Sequence, residues 1–397
     1  MGQGIRRIMA GPLEGIKIVE LGQMIAVPGA TYLLATQGAE IVKVENTTGG
    51  DDLRMYGSRK NGISGWFANA NAGKRSIGID LMTEDGKQVL WRLLKDADVF
   101  IQGFRPGAVD RLGFSYSEVH DNLPELIYVS SSGFGASGPY SERPVYDPVI
   151  QALSGWAGAQ RTNNEPMLIR GMVADKVAAL TTAQAITAAL FRRNDTKEGQ
   201  HVEISMFEAN IAFNWPDVMM HETLLDSDAL HFPNLLGSYQ LFATEDGWVS
   251  VTAGTDKQWD AVCRALSRKD LAEDDRFSSA SNRSKNFTDW YEAFAQMVSQ
   301  FTSAEVLDRC LDADVPAVPV LDPSEVSSDP HVVAREAVIE VSHPTIGKMR
   351  VPRQGASFSA EEKVQPSAAP AYGEHTDEIL SEIGFDSNEI NNLRNSN

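Results

Sequence analysis

Two short β-branched runs enclose a helix-like segment near the start of the chain, and this feature constrains the fold more than any other. GIKIVELG at 15–22 is bounded by glycines, PGATYLLATQG at 28–38 has apolar residues at helical spacing, and AEIVKVE at 39–45 is again β-branched. This order predicts a compact β-α-β unit, in which two parallel strands are joined by a right-handed crossover.

The alternation of strands and helices continues along the chain. The pattern predicts helices at 84–97 and 106–113 and strands at 98–103, 126–135 and 200–206. Strands that alternate with helices indicate an open α/β sheet, Rossmann-like in outline. No GxGxxG follows the first strand, so the sequence does not support a nicotinamide or flavin cofactor.

The pattern changes after a helix predicted at 207–222, which we expect to kink at Pro216. Residues 225–234 have the composition of a linker, and GSYQLFATEDGWVSVTAG at 237–254 predicts a hairpin. Helices are then predicted at 256–267, 285–301 and 303–312, with a strand at 317–321. Residues 225 to about 325 are therefore expected to form a smaller α+β lobe.

The formal net charge of −19 limits the partners. Nucleic acids and anionic membrane surfaces require an electropositive footprint, so we expect neither as a partner. No apolar run is long enough to span a bilayer, and the N-terminal MGQGIRRIMA lacks the apolar core of a signal peptide. These features predict a cytoplasmic protein.

The sequence contains no motif that indicates a metal site or a serine hydrolase. The histidines are scattered without metal-ligand spacing, and neither HExxH nor GxSxG occurs. The two cysteines, Cys263 and Cys310, have no CxxC spacing, so we expect buried thiols and no zinc site. No metal is predicted.

Asp175 precedes a long helix-like stretch, and two interpretations of it are open. The segment RGMVADKVAALTTAQAITAALFRR at 170–193 is Ala-rich and apolar enough, with Leu180 among its large residues, that we expect it to be buried. A carboxylate at its start is typical of a helix cap. The same environment would keep the carboxylate ionised and directed outward, which suits a nucleophile toward an acyl group.

A Gly- and Ser-rich turn and two arginines are further candidates. SSGFGASGPY at 131–140 is either a plain loop after a strand or a backbone cradle for a ligand at the carboxyl edge of the sheet. Arg105 and Arg111 flank PGAVD, and they are either solvated surface residues or phosphate contacts.

Several motifs, taken in order, resemble the class III CoA-transferases of the CaiB/BaiF family, which includes formyl-CoA transferase and α-methylacyl-CoA racemase. They are GPLEGIKIVELG, GAEIVKVE, NAGKRSIGIDL, FRPGAVDRLG, YVSSSGFGASGPY, YDPVIQALSG, ADKVAAL, EGQHVEISMFEA and GEHTDEIL. The resemblance is dense over residues 11 to about 215 and returns at 314–323 and 371–382.

The resemblance implies a fold and an activity. We expect a Rossmann-like large domain built from both chain ends, 1–224 and 326–397, with the smaller α+β domain at 225–325 between them, in a homodimer of two interlocked rings. It implies a transferase that moves CoA from an acyl-CoA donor to a small carboxylic acid, with coenzyme A as substrate and no tightly bound cofactor.

The resemblance also assigns site residues. Asp175 matches the catalytic aspartate of the family, and Arg111 matches an arginine that contacts the nucleotide end of CoA. The other positions that match the CoA pocket or its backbone donors are Phe104, Asn71, Lys74, Arg75, Gly133, Phe134 and Gly135.

Four positions depart from the family pattern. Asn46 and Ser132 replace basic residues near the CoA adenine and phosphates of formyl-CoA transferase, and Ile25 replaces a glutamine at its entrance, so formyl-CoA and oxalate are not expected as substrates. Tyr146 stands where the racemase branch has its histidine base, and a tyrosine pKa near 10 favours transfer over racemisation. An acyl-CoA isomerase and a catalytically silent CoA-binding protein stay open as alternatives.

Overall fold

The computed structural model of the chain describes residues 11–162, 164–230, 239–359 and 367–396. It divides into two compact units, one made of Met1–Met220 with Ala334–Asn397 and the other of His221–Val333. The sequence predicts the corresponding boundaries after residues 224 and 325, whereas the structure places them after residues 220 and 333.

The strands of the described residues are short, and most belong to the first unit. In chain order they are β1 Lys17–Leu21, β2 Glu40–Glu45, β3 Arg59–Lys60, β4 Ile63–Ser64, β5 Arg75–Gly78, β6 Val99–Gln102, β7 Ile127–Ser132, β8 His201–Ser205, β9 Phe242–Ala243, β10 Trp248–Val251, β11 Ala317–Pro319, β12 Val338–His343 and β13 Gly347–Pro352.

The helices of the described residues vary more in length. They are α1 Ala26–Ala35, α2 Gly65–Asn71, α3 Glu84–Lys95, α4 Tyr116–Asn122, α5 Asp147–Leu153, α6 Trp156–Ala159, α7 Val173–Thr196, α8 Met206–Asn214, α9 Asp256–Ala265, α10 Lys269–Ala272, α11 Ala280–Lys285, α12 Phe287–Val298, α13 Ser303–Asp312, α14 Pro330–Arg335, α15 Thr376–Glu382 and α16 Ser387–Ser396. None of these described helices is both long and apolar enough to cross a bilayer.

A six-stranded parallel sheet forms the centre of the first unit. Its strand order is β5-β2-β1-β6-β7-β8, and every neighbouring pair is parallel. The order reverses between β1 and β6, which is the topological switch point of a doubly wound sheet. The predicted α/β class with a parallel central sheet is confirmed.

Apolar clusters cover both faces of this sheet. Successive residues of β1 alternate between them: Val19 and Leu21 join one cluster and Ile18 the other, as the two-residue period of a strand requires. α3, α15 and α16 pack on the first cluster, whereas α1 and α7 pack on the second. The chain end after the second unit therefore contributes to the core of the first.

The structure differs from several predictions in this unit. The helix predicted at 106–113 is a turn with only a short 3₁₀ segment at Asp110–Leu112. The helix predicted at 207–222 does not kink at Pro216 but ends at Asn214. The N–H of Trp215 still donates to the carbonyl oxygen of Ile211, whereas Pro216 has no N–H with which to continue the helix. α7 is not buried throughout, since Leu180 is 55% exposed and Phe191 is 75% exposed.

The second unit is a small α+β body. β9, β10 and β11 form an antiparallel sheet in the order β11-β10-β9, and the predicted hairpin turns between β9 and β10. Its core centres on Trp259, Phe294 and the buried thiols Cys263 and Cys310. Residues 231–238, which include part of the predicted linker and the first two residues of the predicted hairpin, lie outside the described residues.

Candidate active site

Asp175 is the third residue of α7 and does not cap that helix. The cap position is Met172, which provides no side-chain hydrogen bond to the first turn. The N–H of Asp175 instead donates to Oδ2 of Asp147, in α5, at 3.0 Å. The interpretation of Asp175 as a plain helix cap is therefore wrong, because a second carboxylate takes that role.

Asp147 is held firmly in this position. It is 4% exposed and is the first residue of α5, where a carboxylate is favoured by the helix dipole. Its Oδ1 accepts a hydrogen bond from Nε2 of Gln151 at 2.5 Å. Tyr146, which precedes it, is 71% exposed.

Two buried amides hold the chain on either side of the start of α7. Gln151 accepts the N–H of Ile169 at 2.9 Å and donates to the carbonyl oxygen of Gly171 at 3.1 Å. Asn210, in α8, donates to the carbonyl oxygen of Ala174 at 3.1 Å and accepts from Nε1 of Trp156 at 2.9 Å. The position of Asp175 thus depends on residues from three other helices.

The carboxylate of Asp175 has no hydrogen-bond or ion-pair partner within the described part of the chain. Burial, together with the charge of Asp147, raises its pKa from 3.8 to about 7. The sequence suggested that the helix end would keep Asp175 ionised, but burial and the neighbouring carboxylate outweigh the helix dipole. The group titrates near neutral pH and is available to a ligand.

The turn that follows β7 packs beside the start of α7. Phe134 is 8% exposed and shares an apolar cluster with Ala174 and Ala178, which flank Asp175. Gly133 is required for this close packing, since a Cβ there would lie 2.1 Å from Cγ1 of Val145. The structure therefore places Phe134, in the predicted Gly133–Gly135 turn, in the same apolar cluster as the first turns of α7.

Part of the donor capacity of this turn is already used by the protein. Gly135 donates its N–H to Oγ of Ser132 at 3.0 Å, and Ala136 donates to Oε1 of Glu203 at 2.6 Å. Both N–H groups belong to the turn that the sequence offers as a backbone cradle for a ligand. As the protein stands, their hydrogen bonds go to Ser132 and Glu203.

Lys74 and Asn71 belong to a buried ionic network. Nζ of Lys74 lies 2.7 Å from Oε2 of Glu20 and donates to the carbonyl oxygen of Pro28 and to Oδ1 of Asn71, each at 2.9 Å. An ammonium group has three N–H donors, so all are engaged. A CoA phosphate could bind Lys74 only by displacing one of these partners.

Arg75 also has protein partners. Its guanidinium forms ion pairs with Glu382, at 2.8 Å, and Glu378, at 3.1 Å, both in α15. These pairs attach α15 to β5. The described ion pairs of the Arg75 side chain are thus with α15.

The ionic network supports the loop between β1 and α1. Nζ of Lys43 contacts Glu20 at 2.7 Å and Asp51 at 2.9 Å, and it donates to the carbonyl oxygen of Gly22 at 2.8 Å. Asp51 accepts the N–H of Met24, whose φ of +63° lies in the left-handed region that side chains rarely adopt. Buried charges thus fix a strained loop at the switch point.

Phe104 and Arg111 lie on the other side of the switch point, after β6. Phe104 is half-buried and donates its N–H to Oε1 of Gln102 at 2.8 Å. Arg111 is exposed, and its guanidinium lies beside Gly107, where a Cβ would be 3.4 Å from Nη1. Arg111 is thus a sequence-predicted CoA contact whose guanidinium is exposed and can bind a ligand.

A valine fills the space between the two switch-point loops. A Cβ at Gly22 would lie 2.4 Å from Cγ1 of Val27, and a Cβ at Gly103 would lie 2.8 Å from Cγ2 of the same side chain. Glycine is therefore required on both sides. Doubly wound sheets bind ligands in the crevice at the switch point. The loops after β1 and β6, which border this crevice, both pack on Val27.

The departures from the family pattern have local partners. Oδ1 of Asn46 accepts N–H groups from Thr48 at 3.0 Å and Gly50 at 3.3 Å, which closes a turn after β2. Ser132 accepts from Gly135, as described above, and Ile25 is the residue at the start of α1. Asn46 and Ser132 thus stabilise turns.

Sequence reasoning missed Asp147, Gln151 and Asn210. A signal was present, because an Asp-Pro pair opens YDPVIQALSG and a glutamine follows four residues after the aspartate in an otherwise apolar run. Polar side chains inside apolar runs are buried only with partners.

Comparisons with known proteins agree with this architecture. The sequence model of CoA-transferase family III matches residues 13–376. The chain is 29% identical to succinyl-CoA:glutarate CoA-transferase of Homo sapiens, over 94% of this chain and 86% of that protein, and 32% identical to acetyl-CoA:oxalate CoA-transferase of Acetobacter aceti, over 83% and 86%. The crystal structure of a CaiB/BaiF family protein from Brucella suis is similar with a TM-score of 0.82 and 31% identity, over 94% of this chain and 99% of that one.

Proposed function

The chain belongs to CoA-transferase family III and is a CoA-transferase, and we propose that it moves CoA from an acyl-CoA donor to a small carboxylic acid through covalent intermediates on Asp175. The observation that carries the proposal is the Asp175 carboxylate itself. It lies at a buried helix start, its own N–H is capped by Asp147, and its oxygens have no partner within the described residues.

The first half of the reaction loads CoA onto the enzyme. An oxygen of the Asp175 carboxylate attacks the carbonyl carbon of the donor thioester, and the C–S bond breaks to give a mixed anhydride and CoA thiolate. The thiolate then attacks the aspartyl carbonyl carbon, which releases the donor acid as a carboxylate. Asp175 is left as a thioester with CoA.

The second half reverses these steps with the acceptor. The acceptor carboxylate attacks the aspartyl thioester, expels CoA thiolate and forms a new mixed anhydride. The thiolate attacks the acceptor carbonyl carbon, and Asp175 is regenerated as a carboxylate. Every step passes through a developing oxyanion, and a backbone N–H donor aimed at it contributes about 3 kcal/mol.

Only the ionised form of Asp175 is a nucleophile, and this links the mechanism to the raised pKa. With a pKa of about 7, the carboxylate is roughly half ionised at neutral pH. A carboxylate of higher pKa is also more nucleophilic once ionised. The charge of Asp147 therefore lowers the fraction of Asp175 that is ionised at neutral pH, but it makes the ionised Asp175 carboxylate more nucleophilic.

We propose that Arg111 and Phe104 bind the CoA moiety at the switch point. Arg111 is exposed on the loop after β6, and a guanidinium suits the phosphates of the nucleotide end. Relatives carry names that specify glutarate and oxalate, so small dicarboxylic acids are the first acceptors to test. Oxalate is included as the acceptor that Asn46, Ser132 and Ile25 disfavour.

We also propose the interlocked homodimer that the family resemblance implies. Large apolar side chains stand exposed on α7 and α8, among them Leu180, Phe191 and Phe213, which are 55%, 75% and 56% exposed. Exposed apolar residues in this number are typical of a protein interface. Light scattering coupled to size-exclusion chromatography measures the mass and tests this: a monomer at micromolar concentration contradicts the proposal.

An isomerase that acts on the carbon next to the thioester is the second candidate. The pKa of about 7 at Asp175 favours it, since proton transfer is most efficient when the pKa of the catalytic group lies near the working pH. Solvent deuterium that enters the acyl-CoA without any acceptor supports this function.

Borohydride trapping tests the transferase proposal. The protein is incubated with a panel of acyl-CoAs without acceptor, reduced with borohydride and digested with trypsin, and the peptide Gly171–Lys176 is analysed by mass spectrometry. Reduction of Asp175 to its alcohol supports an aspartyl thioester or anhydride and identifies the donor. An unmodified peptide across the panel, with CoA bound, counts against the transferase mechanism.

A further inference from the structure

We propose that Gln151 is a positioning residue for Asp175: its buried amide fixes the segment that leads into α7 and orients the Asp147 carboxylate that caps this helix. The inference rests on the proposed function, because it takes Asp175 as the nucleophile.

The amide of Gln151 binds the backbone before α7 in the way that a neighbouring strand would. Oε1 accepts the N–H of Ile169 at 2.9 Å, and Nε2 lies 3.1 Å from the carbonyl oxygen of Gly171 and 3.3 Å from that of Ile169. With Asp147 as a third acceptor, the two N–H groups of Nε2 are shared among three oxygens. The side chain is 1% exposed, so water does not compete for these bonds. Residues 169–171 are thus fixed just before the helix that carries Asp175.

The same amide also orients Asp147. Nε2 of Gln151 lies 2.5 Å from Oδ1 of Asp147, and the other oxygen of that carboxylate accepts the N–H of Asp175 at 3.0 Å. A carboxylate held through both oxygens cannot rotate. The chain of contacts therefore runs from Gln151 through Asp147 to the backbone of Asp175.

The segment does not hold this geometry by its own conformational preference. Gly171 has φ of +139°, a conformation that is open to glycine and disfavoured for other residues, and Met172 provides no cap. A flexible glycine before a helix whose own N-cap residue makes no side-chain hydrogen bond costs conformational entropy to fix, and the hydrogen bonds of Gln151 offset that cost. Without them we expect the first turn of α7 to move.

Movement of the first turn affects the chemistry directly. Attack on a thioester needs the carboxylate oxygen within reach of the carbonyl carbon, and a displacement of about 1 Å lowers the rate about 100-fold. Binding of the CoA moiety at the switch point does not involve Gln151. The expected result of its loss is a lower kcat with an almost unchanged KM.

The test compares Gln151→Glu and Gln151→Met with Asn214→Ala. Glutamate keeps the length and the acceptor for the Ile169 N–H, but it turns an oxygen toward Asp147 in place of a donor. Methionine keeps the volume and removes both functions. Asn214 is the matched control, because it is 1% exposed and donates to the carbonyl oxygen of Ser154 at 3.0 Å, outside the 169–175 segment.

Three quantities are measured for each variant of the full chain: kcat and KM for acyl-CoA across pH 5–9, the rate at which Asp175 is trapped by borohydride in a single turnover, and the midpoint of thermal unfolding. We expect kcat and the trapping rate to fall about 30-fold or more in both Gln151 variants, with KM within about threefold of wild type. In Gln151→Glu the added charge should move the acid limb of the pH profile to higher pH.

Asn214→Ala should lose thermal stability while its kcat and trapping rate stay near wild type. Gln151 variants that are trapped at the wild-type rate and lose only stability overturn the positioning role. If Gln151→Met does not fold, Gln151→Glu carries the test. A wild-type protein that binds CoA but is never trapped overturns the proposed function instead, and the positioning role with it.

Discussion

The backbone N–H of Asp175 donates to Oδ2 of Asp147 at 3.0 Å, across 28 residues of sequence and two helices. As a result of this contact, the carboxylates of Asp147 and Asp175 have different roles. Asp147 satisfies the helix start, and Asp175 keeps its own oxygens for a ligand. Because the two charges lie close together, Asp147 also helps to raise the pKa of Asp175 to about 7, although burial is the larger cause.

Asp175→Asn should abolish transfer and leave the fold intact. An amide cannot act as the nucleophile, so kcat should fall at least about 1000-fold. Steady-state CoA transfer is measured with freshly purified protein, and the intact mass is checked for deamidation back to aspartate. Asp195→Asn, at the exposed far end of the same helix, is the matched control and should retain activity. Full turnover by Asp175→Asn would remove Asp175 from the mechanism.

Asp147→Asn should move the acid limb of the pH–rate profile to lower pH. The neighbouring charge raises the pKa of Asp175, and an asparagine removes that charge. Its one amide oxygen can accept from the Asp175 N–H only if its NH2 faces Nε2 of Gln151, so the maximal rate should fall as well. Burial remains, so the pKa should stay above its ordinary value of 3.8. The trapping rate measured from pH 4 to 9 reports the shift, and a profile identical to wild type would contradict the coupling.

The stability difference between wild type and Asp175→Asn should depend on pH. The folded-state pKa of about 7 lies above the unfolded value near 3.8, so the folded wild type binds a proton more tightly in this window. Wild type therefore loses stability relative to the variant as pH rises from about 4 to about 7. We expect Asp175→Asn to be more stable by about 1–3 kcal/mol at pH 8 and by much less at pH 4. Urea unfolding at both pH values measures this, and a constant difference would show that the pKa is not raised.

Arg111→Ala should raise KM for acyl-CoA about 10-fold and change kcat little. The exposed guanidinium is proposed to contact the nucleotide end of CoA, which is far from the reacting carbon, and loss of a remote phosphate contact weakens binding of ground state and transition state alike. Lys95→Ala removes an exposed cation from the end of α3 and serves as the control. Equal KM values for the two variants would place CoA elsewhere.

Gly22→Ala should destabilise the protein, and Val27→Ala should rescue it in part. The new methyl group would lie 2.4 Å from Cγ1 of Val27, and overpacking of this kind costs about 1–3 kcal/mol. Thermal unfolding of the two single variants and the double variant forms a cycle. Additive effects would show that residues 22 and 27 do not compete for the same space.

The sequence predicted the outline of the fold because its strongest signals are local. β1, α1 and β2 follow from the β-branched runs and the helical spacing between 15 and 45. β5 was missed because RSIG has one β-branched or aromatic residue, whereas β6, of the same length, has three in VFIQ. α7 was predicted as a helix, but the exposure of Phe191 was not, since periodicity cannot show which apolar face is covered.

The site was predictable in part, for a related reason. Asp175 was singled out by its place before a helix and by the family resemblance, both of which are visible in a short segment. The partner of Lys74 is Glu20, 54 residues away, and the partner of Asp175 is Asp147, 28 residues away. Contacts between distant segments depend on how the helices pack around the sheet. No local pattern contains that information.

The cap that Asp147 supplies to α7 also bears on how such a protein can change over evolutionary time. The start of α7 is satisfied without the side chain of Asp175, so under the proposed mechanism a single codon change at 175 would remove the chemistry and leave a stable scaffold. Duplicated copies of such a gene can therefore lose catalysis before they lose structure. Under the same mechanism, a variant at position 175 would retain acyl-CoA without consuming it and could be used to isolate the donor from a mixture of metabolites.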